Sequence, residues 1–112
     1  MSSKITIDDR NKILVMLMQA LWGAISPNFR MVALYPNEPT WKLLFVLEQD
    51  STTDREEIED VTAEFDALLL DLDTLEIKFE VDILISAEML SWPESPSFVV
   101  FRRREEMKTR KP

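Results

Sequence analysis

The chain contains no cysteine, no histidine and a single glycine, Gly23, among its 112 residues. Without cysteine it forms no disulfide and offers no thiolate, which is typical of an intracellular protein. Without histidine it lacks the side chain that most often transfers protons near neutral pH. A phosphate-binding loop needs several glycines, so that motif is excluded as well. These absences remove most common catalytic sites and favour a protein that is not an enzyme.

The chain also lacks a long hydrophobic run. Its opening segment, MSSKITIDDRNK, has no apolar core of the kind that signal peptides contain. The apolar run ILVMLMQALWGAI is about thirteen residues long, whereas a membrane-spanning helix needs about 20. We therefore expect a soluble, cytoplasmic protein with no membrane partner.

Charge is abundant but unevenly distributed around a net value of −8. Residues 48–82 hold fourteen acids and two bases, a local charge of −12, whereas residues 102–112 hold six bases and two acids. An acidic body repels nucleic acid and attracts basic proteins, so we expect a protein partner and no nucleic acid. The basic tail alone could bind RNA or an anionic surface, but a solubilising terminus is the favoured interpretation.

Hydrophobic periodicity predicts two helices. The first is predicted over residues 8–24, with Thr6 or Asp8 as its N-cap, and the second begins at a capping box formed by Thr53 and Glu56. Each has a predicted buried stripe: Leu14, Leu17, Met18, Leu21 and Ile25 in the first, and Ile58, Val61, Phe65, Leu68 and Leu69 in the second.

Four further segments have strand character, over residues 28–35, 41–48, 76–86 and 97–103. The prediction is a single α+β domain over residues 1–104: two helices on one face of a four-stranded, mainly antiparallel sheet in αββαββ order. Short connections predict that the first strand pairs with the second and the third with the fourth, while the strand order stays open. Residues 105–112 are predicted to be a charged, frayed tail.

If both helices cover one face of the sheet, the other face stays open. Strict alternation along the strands would place on it Arg30, Val32, Leu34, Lys42, Leu44, Val46, Glu48, Glu76, Lys78, Glu80, Asp82 and Leu84. An apolar centre with an acidic rim is typical of a protein-binding surface.

Three tryptophan and valine positions could contact a partner. Val15 and Trp22 lie outside the main stripe of the first helix, and for them core packing is favoured over a dimer or partner contact. Trp92 lies in a proline-rich loop and could equally be a binding anchor or an indole that tethers the loop.

Carboxylate pairs are the remaining candidates for chemistry. Asp71 with Asp73, and Glu80 with Asp82, have the i, i+2 spacing that places two carboxylates on one face of a strand. Such a pair could bind a metal or act as acid and base. In a chain this rich in acids the spacing also arises without function, and a cationic partner would relieve the repulsion between the acids.

Two segments resemble a known family. ALWGAISPNFR, residues 20–30, and FVVFRRRE, residues 98–105, are similar to small αββαββ proteins found beside bacterial polymorphic toxins. The chain resembles an immunity protein of the contact-dependent growth inhibition kind. The resemblance implies a protein without catalysis that binds and blocks one cognate toxin, often a nuclease, and it assigns no binding residue.

The leading hypothesis is therefore an immunity protein that neutralises a basic toxin domain, without cofactor or metal. Its predicted partner-binding residues are Glu56, Glu57, Glu59, Asp60, Glu64, Glu76, Glu80, Asp82 and Trp92. One alternative is a homodimeric structural or regulatory module that associates through the open sheet face or an edge strand. Another is a carboxylate-dependent metal enzyme.

Overall fold

The computed structural model describes residues 6–36, 40–70, 77–91, 93 and 97–105. They form the elements α1 (Ile7–Leu21), β1 (Phe29–Tyr35), β2 (Thr40–Leu47), α2 (Thr52–Leu69), β3 (Lys78–Ile85) and β4 (Phe98–Arg102). The predicted α+β class and αββαββ order are confirmed. The four strands form one mixed sheet in the order β3-β2-β1-β4.

Side-chain caps fix where the two helices begin. The Thr6 hydroxyl accepts a hydrogen bond from the Asp9 amide at 3.0 Å, which confirms Thr6 as the N-cap of α1. Gly23, at a φ of +81°, follows the last turn of α1 in the left-handed region that glycine tolerates. The cap predicted at Thr53 is wrong, because the extended Ser51 accepts from the Asp54 amide at 3.1 Å and starts α2 earlier.

Strand pairing agrees with only half of the predicted pattern. β1 is antiparallel to both β2 and β4, as expected for a mainly antiparallel sheet. β2, however, is parallel to β3, so the predicted pairing of the third strand with the fourth is wrong. The reason is topological: α2 carries the chain from the end of β2 back to the start of β3, and β4 then pairs at the opposite edge.

The main core lies between the helices and one face of the sheet. Strict alternation along β2 leaves Trp41, Leu43, Phe45 and Leu47 for the face that the helices cover, and these four side chains are buried as predicted. Val32 and Leu34 also face the helices, so their predicted place on the opposite face is wrong. They lie directly across from Phe45 and Leu43, and such cross-strand partners share a face.

The second face of the sheet is partly covered. Met31, Ala33 and Val46 form a small buried cluster against which Leu90 packs. The expectation that this face stays open is therefore wrong for its centre, because the segment after β3 lies over it. A β-bulge in β1 interrupts the alternation of its side chains between the two faces. Arg30 is the extra residue, between the pairs Phe29 with Leu47 and Met31 with Val46.

Arg30 holds this covering segment and the end of β4 in place. Only 4% of its side chain is exposed. Its Nη1 donates to the carbonyls of Ser86 and Glu88, each at 2.7 Å, and its Nε and Nη2 donate to both carboxylate oxygens of Glu105 at 2.7 and 2.8 Å. Glu105 also accepts from Arg103 at 2.9 Å. Glu105, which the sequence-based boundary assigned to the tail, is thus anchored to β1.

The ion pair between Arg30 and Glu105 makes the free energy of unfolding depend on pH in the acid range. The hydrogen bond from Arg30, assisted by one from Arg103, lowers the pKa of Glu105 from 4.5 to about 2. A carboxyl group whose pKa is lower in the folded than in the unfolded state stabilises the fold at pH values above its unfolded-state pKa. We therefore expect Glu105 to contribute its full stabilisation above pH 4.5 and to lose it as the pH falls towards 2. Discounted for partial exposure, the loss is about 2 kcal/mol.

Urea denaturation at a series of pH values measures this loss. Glu105→Gln should lack this part of the acid dependence, since its side chain does not titrate. Parallel pH profiles for the wild type and this variant between pH 4.5 and 2 would contradict the assignment.

Candidate functional site

The acids of α2, apart from the buried Asp54, lie on the outer side of the helix. Its apolar stripe of Ile58, Val61, Phe65 and Leu69 is buried, which leaves the other charged positions on the sides of the helix that the core does not cover. Of the predicted partner-binding residues on this helix, Glu57 is half-buried and the others are exposed: Glu56, Glu59, Asp60 and Glu64. Asp66 is exposed as well. Neighbouring bases are scarce along this face, since Arg55 is the only one in the helix.

The acids of β3 lie on the other side of the sheet. Glu80 and Asp82 are exposed, while the alternate residues Phe79, Val81 and Ile83 pack towards the helices. Asp82 pairs with Lys42 at 3.4 Å, and both side chains are about half exposed, so the pair contributes little stability. Among the other predicted residues, Glu76, Trp92 and the pair Asp71 and Asp73 lie outside the described residues.

A groove runs between α2 and β3, with a volume of about 690 Å³. The helix contributes its Glu59, Thr62, Ala63 and Asp66 side, and the strand contributes Lys78 together with the apolar side chains that face the helices. Phe65 contacts Phe79, with ring centroids 5.1 Å apart, and fixes the distance between helix and strand. The sequence analysis did not identify this groove, because it depends on which strand lies beneath α2.

An arginine side chain, held by a hydrogen bond, stands at one end of the groove. Arg55 lines the groove and donates from Nε to Asp50 at 2.6 Å. This hydrogen bond lowers the pKa of Asp50. The positive charge of Arg55 is therefore partly neutralised where it stands. The other charged side chains that line the groove are the carboxylates of Glu59 and Asp66 and the exposed Lys78.

β3 is an edge strand, and its free side can be assigned residue by residue. The Ser86 amide donates to the Leu47 carbonyl of β2 at 2.9 Å. Successive residues of a strand direct their backbone groups to opposite sides, and the β2–β3 register is continuous. The even-numbered residues of β3 therefore face β2, and Phe79, Val81 and Ile83 direct their amides and carbonyls outwards. Within the described residues, no strand pairs with these groups.

Comparison with known proteins identifies the family. A model of the MafI2 immunity protein family matches residues 10–105. The chain belongs to the MafI2 immunity protein family. No curated protein is significantly similar to it. The match begins within α1 and ends at Glu105, the residue that pairs with Arg30.

Membership of the MafI2 family confirms the suspected resemblance to immunity proteins. It supports an immunity role with a cognate toxin as partner. The kind of toxin, the surface that binds it and the delivery system stay predictions. In the part of the chain that the structure describes, no helix is long and apolar enough to cross a membrane. The same residues contain no group of three or more acidic side chains placed to hold a metal ion.

A second exposed feature of this MafI2 family member is an apolar stripe on α1. Val15, Met18 and Trp22 follow the helical repeat along one side and are 52%, 42% and 76% exposed. Core packing of Val15 and Trp22, which the sequence analysis favoured, is wrong, as is the predicted burial of Met18. Ile13 and Ala20 are buried in their place, since the helix is rotated relative to the predicted stripe.

Two tryptophans provide a direct check of this rotation. Trp22→Ala should change the free energy of unfolding by less than about 0.5 kcal/mol, because a largely exposed side chain gains little from folding. Trp41→Ala should cost about 3–5 kcal/mol, because Trp41 is only 4% exposed and lies in the core. Urea denaturation of both variants measures the difference, and similar losses would mean that Trp22 is buried.

Proposed function

We propose that this MafI2 family member binds and neutralises a basic toxin domain, a nuclease, through the carboxylates around α2 and β3. The observation that supports this most is that carboxylates flank the edge strand on both sides, Glu59 and Asp66 above the groove and Glu80 and Asp82 below the sheet. We call these four residues the acidic edge. Glu56, Glu57, Asp60 and Glu64 extend the same field along α2, and we include Glu76 and Trp92 as contacts predicted from sequence.

Charge complementarity gives the reason for a nuclease. An enzyme that cleaves nucleic acid must attract phosphate, so its substrate cleft is basic. An acidic protein that occupies such a cleft associates rapidly and discriminates against partners with the wrong charge. To neutralise the toxin in this way, the protein only has to occupy the basic cleft. We therefore assign it no catalysis, cofactor or metal.

The test uses the toxin domain encoded by the reading frame adjacent to that of this chain. Co-expression should protect cells from that toxin, and the purified proteins should form a complex at low salt. A basic nuclease domain from an unrelated toxin serves as the control and should not be bound or blocked. Neither complex nor protection with the adjacent toxin would overturn the proposal.

A homodimeric module is the second candidate, and the exposed stripe on α1 is the observation that favours it. Three large apolar side chains on one helix face can pair with the same face of a second copy. Light scattering would then show a dimer that persists in high salt, because apolar contacts are not screened. Trp22→Ala should return such a dimer to a monomer. A monomer at all salt concentrations would exclude this candidate.

A further inference from the structure

The free edge of β3 fits one kind of partner segment. We propose that β3 accepts an extended, basic segment of the toxin as a fifth strand of the sheet. This inference rests on the proposed function and names the contact through which it acts. Backbone pairing with an exposed sheet edge is a common mode of peptide recognition, in which the edge supplies affinity and neighbouring side chains supply specificity.

The backbone of β3 is suited to pairing. The strand is eight residues long, and its register with β2 has no bulge. The opposite edge strand, β4, has five residues and a register shift against β1. A long and regular edge is a ready template for another strand, whereas short or bulged edges resist pairing. Phe79, Val81 and Ile83 direct their amides and carbonyls to the side that a new strand would take.

Above this edge, the groove would receive the side chains of the added strand. Thr62 and Ala63 are small and leave space beside the half-buried side chains of β3. Glu59 and Asp66 stand along the same wall of the groove. Residues of the added strand that point towards α2 would therefore combine apolar contact with a Lys or Arg that reaches a carboxylate.

Below the edge, the alternate side chains of the added strand would lie beside Glu80 and Asp82. These two carboxylates are exposed on the face of β3 that points away from the helices. Side chains on neighbouring strands that share a face interact, and opposite charges there are favourable. Both faces of the added strand would thus meet acids. The acids on the two sides of the sheet, Glu59 with Asp66 and Glu80 with Asp82, would then contact the same basic strand.

The same charges disfavour a second copy of this chain at the edge. If β3 paired with itself in antiparallel register about Val81, Glu80 of one copy would lie opposite Asp82 of the other. Like charges directly opposite each other destabilise a strand pair. A basic segment from the toxin relieves the repulsion that a second copy would increase.

Amide exchange read by nuclear magnetic resonance, in the wild type with and without the adjacent toxin domain, tests the proposal. The outward amides of Phe79, Val81 and Ile83 should exchange at least about tenfold more slowly in the complex, since each gains a hydrogen-bond partner. The amides of Glu80 and Asp82 already face β2 and serve as internal controls. Unchanged exchange of the three outward amides in a complex that blocks the toxin would overturn the edge pairing but leave the proposed function intact.

A pair of variants at one position provides the second arm. Val81→Pro removes an outward amide without removing a bond to β2, and proline is tolerated at the free side of an edge strand. It should weaken toxin binding at least about tenfold relative to Val81→Ala, which trims the side chain and keeps the amide. Equal affinities of two folded variants would overturn the proposal. The proposal would also be overturned if the outward amides exchanged more slowly in the free protein as its concentration rose, because that result would show pairing with a second copy.

Discussion

Arg30→Met should destabilise the protein by about 3–5 kcal/mol, since it removes the buried, bidentate partner of Glu105 and leaves that half-buried carboxylate with Arg103 alone. Arg30 makes two hydrogen bonds to Glu105 and one each to the carbonyls of Ser86 and Glu88. Glu105 holds the pKa of Arg30 above its usual value through the same hydrogen bonds. Methionine has a similar length but no donor, so these acceptors lose their partner together.

Arg104→Met is the matched control for this substitution. Arg104 lies one residue before Glu105, and its side chain is exposed, so we expect a change below about 0.5 kcal/mol. Urea denaturation at neutral pH compares the two variants. Equal stability of Arg30→Met and Arg104→Met would mean that the ion pair between Arg30 and Glu105 does not hold the segment after β4 to β1.

Reversal of charge at the acidic edge should lower toxin affinity about 100-fold at low salt. Two double variants test the two sides separately: Glu59→Lys with Asp66→Lys on α2, and Glu80→Lys with Asp82→Lys on β3. Each replaces attraction to a basic partner with repulsion, and like charges across an interface cost several kcal/mol. Titration calorimetry with the adjacent toxin domain measures the affinity, and thermal unfolding confirms that each variant is folded.

The control for charge reversal changes net charge by the same amount elsewhere. Asp8→Lys with Glu88→Lys alters two exposed acids, one at the start of α1 and one after β3. If the local field matters, this control should lose less than about fivefold in affinity, since distant exposed charges are screened. Equal losses in the control and in both edge variants would assign the effect to net charge and contradict a specific acidic edge.

Strands with one buried face were predictable from sequence, and the strand buried on both faces was not. In β2 and β3, alternation correctly places Trp41, Leu43 and Phe45, and Phe79, Val81 and Ile83, on the face towards the helices, but it does not predict that Val46 is buried on the other face. β1 is apolar at nearly every position and buried on both faces, so alternation holds no information about which of its side chains face the helices. The pairing with β2 decides this, and pairing is a tertiary property.

The candidate site was only partly accessible to sequence analysis for a related reason. Counting charges finds Glu59, Glu80 and Asp82, but not that a sheet edge lies between them. That relation follows from the parallel pairing of β2 with β3, which short connections along the chain did not indicate. Trp22 was misjudged because a tryptophan beside a helix stripe is more often covered than exposed. Its exposure depends on the small rotation of α1 in the fold.

The rate at which the wild-type protein associates with the adjacent toxin domain tests the central claim most directly. Stopped-flow fluorescence can follow association from low to high ionic strength. An acidic edge that recognises a basic cleft speeds the encounter by electrostatic attraction. We therefore expect the association rate constant to fall at least about tenfold between about 25 and 500 mM salt, as screening removes the attraction. A rate constant that stays constant over this range would contradict recognition through the acidic edge.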